Sequence, residues 1–265
     1  MNNLTITRFP PLSYATEEAV NTLCTNLSFS GANVRKIMIT SCHASEGKSF
    51  LTMNVMRTMS GLGKTVALVD ADLRLSMITS RYGLRFDVYS TKKGLAHYLA
   101  GMADVEDVIY KTDIDNAYMV PIGRKVTNAL PLLNSPRFGR LLDHLAKNVD
   151  YVIVDAPPVG TVIDGAQIAK SCDGTLIVVN YNTVRRQELI DVKRQLEQTG
   201  CPILGVALNM VEYNDYLSRK YYYKAYYSDY GRYGRYDRSA HSRQQAGQKE
   251  QKVQKAQKGQ KAQKA

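Results

Sequence analysis

Five short apolar runs recur along this chain, and their pattern constrains its fold more than any other feature. The runs are rich in β-branched residues and do not alternate strictly with polar ones, which is typical of strands buried on both faces of a parallel sheet. The predicted strands cover residues 36–40, 65–69, 151–154, 175–179 and 203–208.

Segments with helical spacing lie around and between these runs. They cover residues 17–29, 49–62, 135–147 and 185–199. Gly200 follows the last of them and is typical of a helix stop. Strands and helices that alternate in this way favour an α/β domain with a doubly wound, mostly parallel sheet. The chain of 265 residues is long enough for one such domain and an appendage.

A Gly-Lys-Ser sequence stands between the first of these strands and a predicted helix. In a strand–loop–helix, backbone N–H groups and the helix N-terminus point at phosphate oxygens. Lys48 would supply a charge to the β- and γ-phosphates, and Ser49 a hydroxyl ligand for Mg²⁺. Cys42 occupies the first glycine position of the usual G-x-x-x-x-G-K-S/T pattern, so the tripeptide alone is a weak signal. The candidate nucleotide-binding residues here are Ser45, Glu46, Gly47, Lys48, Ser49 and Phe50.

Carboxylates follow two further predicted strands. Asp70 and Asp72 come after the strand at 65–69, and Asp155 comes after the strand at 151–154. Open α/β sheets bind ligands at the carboxyl ends of their strands, so these acids are expected beside the phosphate loop. Acids that converge on a triphosphate repel one another unless a cation is present, and Mg²⁺ supplies it. Asp70 alone or Asp155 alone could simply cap the end of its strand.

The composition changes after about residue 210. Ten of the 18 tyrosines lie within residues 213–236, interleaved with Lys, Arg, Ser and Gly. They are Tyr213, Tyr216, Tyr221, Tyr222, Tyr223, Tyr226, Tyr227, Tyr230, Tyr233 and Tyr236. Six Gln-Lys-x triplets follow from Gln248, and they have almost nothing apolar to bury, which predicts a disordered tail. We therefore divide the chain into a domain at 1–212, a tyrosine cluster at 213–236 and a basic tail at 237–265.

Charge and cysteine usage restrict the class of protein. Residues 219–265 hold 13 Lys or Arg and three acids, so this segment carries most of the formal net charge of +11. The four cysteines show no metal-ligand or Cys-x-x-Cys spacing and are expected to be free, buried thiols. Residues 1–12 lack the apolar core of a signal peptide, and no apolar run approaches 18 residues. We expect a cytoplasmic protein. No nucleic-acid partner is expected, and the alternative for the tyrosine cluster is an aromatic segment that self-associates or stacks on nucleic acid.

Taken together, these motifs resemble the bacterial tyrosine kinases of capsule and exopolysaccharide synthesis, a branch of the deviant P-loop ATPases. The resemblance covers roughly residues 13–236. It includes S-E-G-K-S as the phosphate loop, V-A-L-V-D-A-D-L-R as the second (Walker A′) motif and V-I-V-D-A-P-P as the third, followed by Asp164. The terminal tyrosine cluster is the most diagnostic feature, because the related cell-division and partition ATPases lack it.

The resemblance implies a Rossmann-like P-loop NTPase fold, ATP and Mg²⁺ as cofactors, and a role for each motif residue. Lys48 would bind phosphate; Ser49, Asp72 and Asp155 would hold Mg²⁺. The catalytic set is Lys48, Asp70, Asp72 and Asp155, with Asp70 expected nearest the tyrosine oxygen. Arg74 would hold charge near the phosphates, and Asn209 would contact adenine.

The chain also departs from the family pattern. The family's N-terminal helix carries a Glu-x-x-Arg-x-x-Arg motif associated with ring-shaped self-assembly. Glu18, Asn21 and Cys24 stand at the corresponding positions, so both arginines and any carboxylate contacts they make are missing. Self-association stays open as an expectation, but the ring is in doubt.

The function that these features favour is an ATP-dependent protein-tyrosine autokinase that phosphorylates its own tyrosine cluster in trans and regulates polysaccharide polymerisation or export. By resemblance, its partners are a separate transmembrane activator, which recruits it to the inner face of the cell membrane, and proteins of the polysaccharide machinery. The Gln-Lys-x tail is either a solvated segment or an electrostatic contact with anionic membrane. Two other functions stay open: a partition- or positioning-type ATPase, and a pseudo-kinase that uses nucleotide only as a scaffold.

Overall fold

The computed structural model describes residues 2–87 and 92–211. The described strands are β1 (Asn2–Ile6), β2 (Lys36–Ser41), β3 (Val66–Asp70), β4 (Leu84–Phe86), β5 (Tyr110–Thr112), β6 (Ala117–Val120), β7 (Tyr151–Asp155), β8 (Gly174–Asn180) and β9 (Ile203–Asn209). The described helices are α1 (Tyr14–Ser28), α2 (Lys48–Gly61), α3 (Ile78–Tyr82), α4 (Leu95–Leu99), α5 (Val105–Val108), α6 (Leu130–Leu133), α7 (Pro136–Asn148), α8 (Asp164–Ala169) and α9 (Arg186–Glu197).

One nine-stranded sheet runs through the described part of the chain in the order β4-β1-β5-β6-β3-β7-β2-β8-β9. The six strands from β6 to β9 in that order are parallel to one another. At the other end, β4 pairs antiparallel with β1, and β5 pairs antiparallel with β6. The mostly parallel, doubly wound sheet that the sequence predicts is therefore confirmed.

Helices cover both faces of this sheet, which explains why the central strands read as continuous apolar runs. In β3, Ala67 and Val69 face the core beneath α4 and α6–α9, whereas Val66 and Leu68 face the core beneath α1–α3. Successive side chains of a strand point to opposite faces, so a strand with two cores needs apolar residues at every position. All five residues of β3 are buried.

The five predicted strands and the four predicted helices are all present, with ends that differ by up to three residues from those expected. The expectation did not include β1, β4, β5 or β6, which extend the sheet by four strands. The extra strands have three to five residues each, and β1 has the polar sequence Asn-Asn-Leu-Thr-Ile, so these segments carry little strand signal. Only β6, Ala-Tyr-Met-Val, is wholly apolar among the four, and it has four residues.

Residues 1–210 form one compact unit. Within the described residues, no helix combines the length and the apolar character that crossing a bilayer requires. The tyrosine cluster at 213–236 and the basic tail at 237–265 lie outside the described residues, so the predictions made for them stay predictions.

Candidate active site

The phosphate loop joins β2 to α2 and turns sharply just before the helix. Gly47, the residue before α2, has φ +88°, a conformation that glycine adopts without steric cost. A side chain would also be excluded there, since a Cβ on Gly47 would lie 2.0 Å from Nδ2 of Asn209. The helix therefore begins at Lys48 with its first backbone N–H groups directed at the loop, which is the arrangement that binds phosphate.

Buried hydrogen bonds hold this loop in place from behind. The carboxylate of Glu46 is 3% exposed and accepts bonds from the backbone N–H of His43, at 2.7 Å, and of Asn180, at 3.3 Å. The side-chain amide of Asn209 donates to the carbonyl oxygen of Glu46 at 2.9 Å. The ends of β8 and β9 are thereby tied to the loop, so its shape exists before nucleotide binds.

The carboxylates at the ends of β3 and β7 lie side by side. Asp70 and Asp155 are paired residues of the parallel ladder, and both are fully buried. Ser49 donates to Oδ2 of Asp155 at 2.6 Å, and Thr52, one turn further along α2, donates to Oδ1 at 3.1 Å. The hydroxyl and carboxylate proposed from the sequence as ligands of Mg²⁺ are thus in direct contact.

Burial makes these carboxylates unfavourable as anions. Loss of hydration raises the pKa of Asp155 to about 6, although hydrogen bonds from Ser49 and Thr52 and the charge of Lys48 oppose the rise. Burial and then the nearby Asp155 raise the pKa of Asp70 well above its usual range. One oxygen of Asp70 is buried without a hydrogen-bond partner among the described residues.

These observations fit a site that is completed by a cation. Within the described residues, no group of three or more His, Cys, Asp or Glu side chains is arranged to hold a metal ion alone. Mg²⁺ is usually bound by one or two carboxylates, waters and substrate phosphates, not by an all-protein cage. A hydroxyl touching a buried carboxylate beside a phosphate loop is such a partial site.

Asp70 and Asp72 occupy different positions although they are two residues apart. Asp70 is fully buried, and it accepts a hydrogen bond from the hydroxyl of Ser76. Asp72 accepts a bond from the backbone N–H of Leu75 at 3.0 Å and lines the cleft. The role of Asp70 as the group nearest the tyrosine oxygen stays a prediction, and Asp72 is the one of the two that lines the cleft.

A cleft of about 310 Å³ opens beside the phosphate loop and is lined by three loops at the carboxyl edge of the sheet. Its lining residues are Ala44, Ser45, Gly47, Lys48, Ser49, Asp72, Arg74, Leu75, Met77, Arg81, Pro157, Pro158, Thr161 and Val162. Three cations, from α2, the loop after β3 and α3, line it together with an acid and several apolar side chains, so the cleft offers charge for phosphate and apolar surface for a ring.

Six of the predicted site residues line this cleft, and five lie behind or beside its wall. The six are Ser45, Gly47, Lys48, Ser49, Asp72 and Arg74. The others are Glu46, Phe50, Asp70, Asp155 and Asn209; Asp155 meets the site through Ser49, and Glu46 and Asn209 brace the loop. All ten tyrosines of the predicted cluster lie outside the described residues.

Three residues that act on the site were given no role from the sequence: Thr52, Ser76 and Asp164. Thr52 could have been found, because it stands four residues after Lys48 on the same helix face. Its one hydroxyl hydrogen is shared between the carbonyl oxygen of Lys48, at 2.9 Å, and Oδ1 of Asp155, at 3.1 Å. Asp164 was noted only for its place after the third motif. No sequence signal points to Ser76.

The cysteine at the first glycine position of the loop is structural. Cys42 is fully buried, and burial, with a smaller effect of Glu46, raises the pKa of its thiol to about 12. Its carbonyl oxygen lies 2.4 Å from where a Cβ on Gly160 would stand, so the two loops touch through backbone. The expectation that all four cysteines are free and buried is confirmed.

Comparison with known proteins agrees with this geometry. Residues 34–199 match the model of the AAA domain family. The tyrosine-protein kinase CpsD of Streptococcus agalactiae is 35% identical over 206 residues, which cover 76% of this chain and 88% of the relative. This chain belongs to the bacterial tyrosine-kinase family. The corresponding kinase of Streptococcus pneumoniae is also 35% identical, over 196 residues that cover 74% of this chain and 85% of the relative.

Solved structures place this family member on the same fold. The kinase domain of the Escherichia coli tyrosine kinase ETK superposes with a TM-score of 0.68 at 28% identity, covering 75% of this chain and 77% of that one. MinD of Pyrococcus horikoshii, solved with Mg-ADP, superposes with a TM-score of 0.56 at 24% identity over 66% of this chain and 69% of that one, which shows a shared P-loop fold.

Proposed function

We propose that this family member is an ATP-dependent protein-tyrosine autokinase that phosphorylates the tyrosine cluster at 213–236 in trans. The observation that carries the proposal is the contact between Ser49 and Asp155 beside a cleft that Lys48 and Asp72 line. It occurs in a chain that belongs to a tyrosine-kinase family and itself bears ten clustered tyrosines.

The side chains around the cleft divide the work of phosphoryl transfer. Ser49 and Asp155 would hold Mg²⁺, which would supply positive charge to the phosphates when bound. The backbone N–H groups at Gly47–Ser49 and the ammonium of Lys48 hold the phosphates and stabilise negative charge that grows on them. Asp155 orients the hydroxyl of Ser49, and Thr52 fixes the second oxygen of Asp155, so the pair does not need to reorganise.

The acceptor is a phenol, whose pKa near 10 keeps it protonated at neutral pH. Asp72 is the carboxylate that lines the cleft, and it accepts the phenolic proton as the oxygen approaches the phosphate. Leu75 and Met77 follow it on the same loop and are largely exposed at the mouth of the cleft, where they offer apolar contact to the ring. Positioning of the phosphates and stabilisation of their charge supply most of the rate enhancement in phosphoryl transfer. Loss of the Lys48 side chain should therefore lower the transfer rate more than loss of the base, Asp72.

Two full-length variants test the transfer. The first replaces all ten cluster tyrosines with phenylalanine and keeps the kinase site; the second is Lys48→Met and keeps the tyrosines. Each is incubated alone and together with Mg-ATP, and phosphosites are mapped by mass spectrometry. We expect phosphate on residues 213–236 only in the mixture, because the intact site of one chain serves the tail of another.

The alternatives give different results in the same assay. ATP hydrolysis by wild-type protein without phosphotyrosine would indicate a positioning-type ATPase. Nucleotide binding without hydrolysis or transfer would indicate a scaffold. Phosphate on the wild-type tail but none in the mixture would show that transfer occurs within one chain.

The cellular setting follows from the family. We propose that this chain acts in capsular or exopolysaccharide synthesis, and that a separate transmembrane activator recruits it from the cytoplasm to the membrane. Each phosphate adds about −1.5 to −2 charges, so about five to seven of them would cancel the excess of 13 cations over three acids at residues 219–265. Recruitment to anionic vesicles that is unchanged by tail phosphorylation and by 0.5 M salt would contradict an electrostatic contribution.

A further inference from the structure

A buried carboxylate holds the arginine of the cleft in one orientation. Asp164, the first residue of α8, is 1% exposed. Arg74 donates to it through two groups, Nε to Oδ2 at 2.5 Å and Nη2 to Oδ1 at 3.1 Å. A two-point contact of this kind fixes the plane of the guanidinium as well as its position.

The same guanidinium joins three loops. Arg74 belongs to the loop after β3, and Asp164 follows the loop after β7. Nη1 of Arg74 donates to the carbonyl oxygen of Thr127 at 2.8 Å, and the backbone N–H of Val126 donates to the carbonyl oxygen of Leu73 at 2.8 Å. The arginine is therefore held from both sides, by α8 and by the segment at 126–127.

The guanidinium of Arg74 keeps N–H groups that a ligand can use. A guanidinium has five N–H groups, and the bonds to Asp164 and Thr127 use three of them. One N–H on Nη1 and one on Nη2 remain. The side chain of Arg74 is 32% exposed and lines the cleft together with Lys48 and Asp72.

We propose that Asp164 is a positioning residue, which aims the two remaining N–H groups of Arg74 at the phosphates of the nucleotide. Without it, a long side chain with several rotatable bonds would have to be ordered when nucleotide binds, at a cost in conformational entropy. Asp164 itself touches no ligand, and its effect passes through Arg74. The part of this inference that concerns phosphoryl transfer rests on the proposed function.

Nucleotide affinity tests the inference without any requirement for catalysis. Full-length wild type, Arg74→Ala, Asp164→Asn and the double variant are titrated with a non-hydrolysable ATP analogue and Mg²⁺. A charge-assisted bond to phosphate is worth about 1.5–3 kcal/mol, so Arg74→Ala should lose roughly 10- to 100-fold in affinity. Asp164→Asn should lose a similar factor, and the double variant should bind no worse than Arg74→Ala alone.

Additive losses would overturn the proposal, because they would mean that Asp164 acts on affinity by another route. Asp143→Asn is the control: its carboxylate pairs with Lys36 at 2.9 Å at the amino end of β2, away from the cleft, and its loss should leave affinity unchanged.

If Asp164→Asn melts far below wild type, the affinity of Asp164→Glu is measured in its place, since this variant keeps the charge and shifts the carboxylate by one methylene. Wild-type affinity in that variant would contradict positioning; a 10-fold loss with the melting temperature retained would support it.

Kinetics extend the test to transfer. If wild type phosphorylates the tail, the four proteins are compared for kcat and for the KM of ATP. Positioning predicts that kcat falls in both single variants and does not fall further in the double variant. A wild type that binds nucleotide but transfers nothing would count against the proposed function and leave the binding result standing, so the two failures are distinguishable.

Discussion

Gly47 lies where the phosphate loop enters α2, and two constraints act on it together. Its φ of +88° disfavours any L side chain, and the amide of Asn209 fills the space that a Cβ would need. At most of the other described glycines with positive φ, only the backbone conformation disfavours a side chain. Here the second arises because Asn209 is also the donor that holds the carbonyl of Glu46.

A pair of alanine substitutions separates these constraints. Gly200 has φ +79° with no atom within 4 Å of its hypothetical Cβ, so Gly200→Ala should cost only the backbone strain, about 1 kcal/mol of unfolding free energy. Gly47→Ala should cost more, and it should abolish ATP binding because the loop must shift. Urea denaturation and nucleotide titration of both variants measure this. Equal costs, with binding retained in both, would show that the contact with Asn209 is unimportant.

Asp155 predicts a pH dependence for the nucleotide-free protein. Its pKa is about 6 in the folded chain and near 3.8 when unfolded, so between these values the native state binds more protons. The stabilising contribution of the neutral acid is fully present below about pH 4 and is lost as pH rises through 6. The unfolding free energy of wild type should therefore fall relative to Asp155→Asn across this window, by on the order of 3 kcal/mol.

Denaturation in EDTA at several pH values measures that difference. Saturating Mg-ATP should reduce the fall in wild type, since a cation favours the carboxylate form. A difference between the two proteins that is constant from pH 4 to 7 would show that Asp155 is not held in the neutral form.

At the scale of elements, α1 shows why the family's assembly motif cannot simply be restored. The motif position occupied by Cys24 faces the core, where its side chain is fully buried and its Sγ lies 4.0 Å from the carbonyl oxygen of Val55. Burial raises the pKa of this thiol to about 12. Asn21, at the other position, is only partly buried and donates to Glu18 at 3.4 Å.

Arginine at these two positions should therefore have opposite consequences. Cys24→Arg places an unpaired charge between α1 and α2 and should lower the unfolding free energy by about 3 kcal/mol or more. Asn21→Arg should change it by about 0.5 kcal/mol or less and add an exposed cation beside Glu18. Urea denaturation compares the two, and light scattering checks for rings. A stable Cys24→Arg protein would mean that α1 packs differently from this structure.

The elements that the sequence predicted well are those with a strong local pattern. The strands β2, β3, β7 and β8 are buried by helices, and their composition reports that burial directly. The edge strand β9 has no fully buried residue, but its apolar sequence made it predictable. The strands β4 and β5 have three residues each, and β1 is half polar, so nothing in their composition exceeds what a loop would show. Their pairing depends on distant partners: Leu4 aligns with Phe86 on one side and Thr112 on the other.

At the scale of the whole molecule, the compact unit ends where β9 ends. Residues 1–210 hold both hydrophobic cores that have been described, and the last strand supplies Asn209 to the phosphate loop. The boundary of the predicted kinase domain is therefore close to a contact that the site uses.

Truncation on either side of this contact makes the point testable. A chain that ends at Val211 should melt within about 2 °C of the full-length protein and bind ATP equally, because both cores are retained. It should carry no phosphotyrosine from the 213–236 cluster. A chain that ends at Val206 removes Asn209 and part of β9 and should lose nucleotide affinity. Calorimetry and nucleotide titration compare the three, and a folded Val206 chain with full affinity would contradict the role given to β9.

The sequence by itself determined the order of strands and helices, the doubly wound class, the phosphate loop and the three carboxylates at strand ends, because each of these rests on residues that are neighbours in the chain. Only the tertiary structure decided how those groups differ. It enclosed Asp70 completely, placed Asp72 in the wall of the cleft and joined Asp164 to Arg74 across 90 residues. The reason is physical: the burial of a charge and the orientation of a donor depend on side chains brought in by distant segments, and short-range patterns carry no record of them.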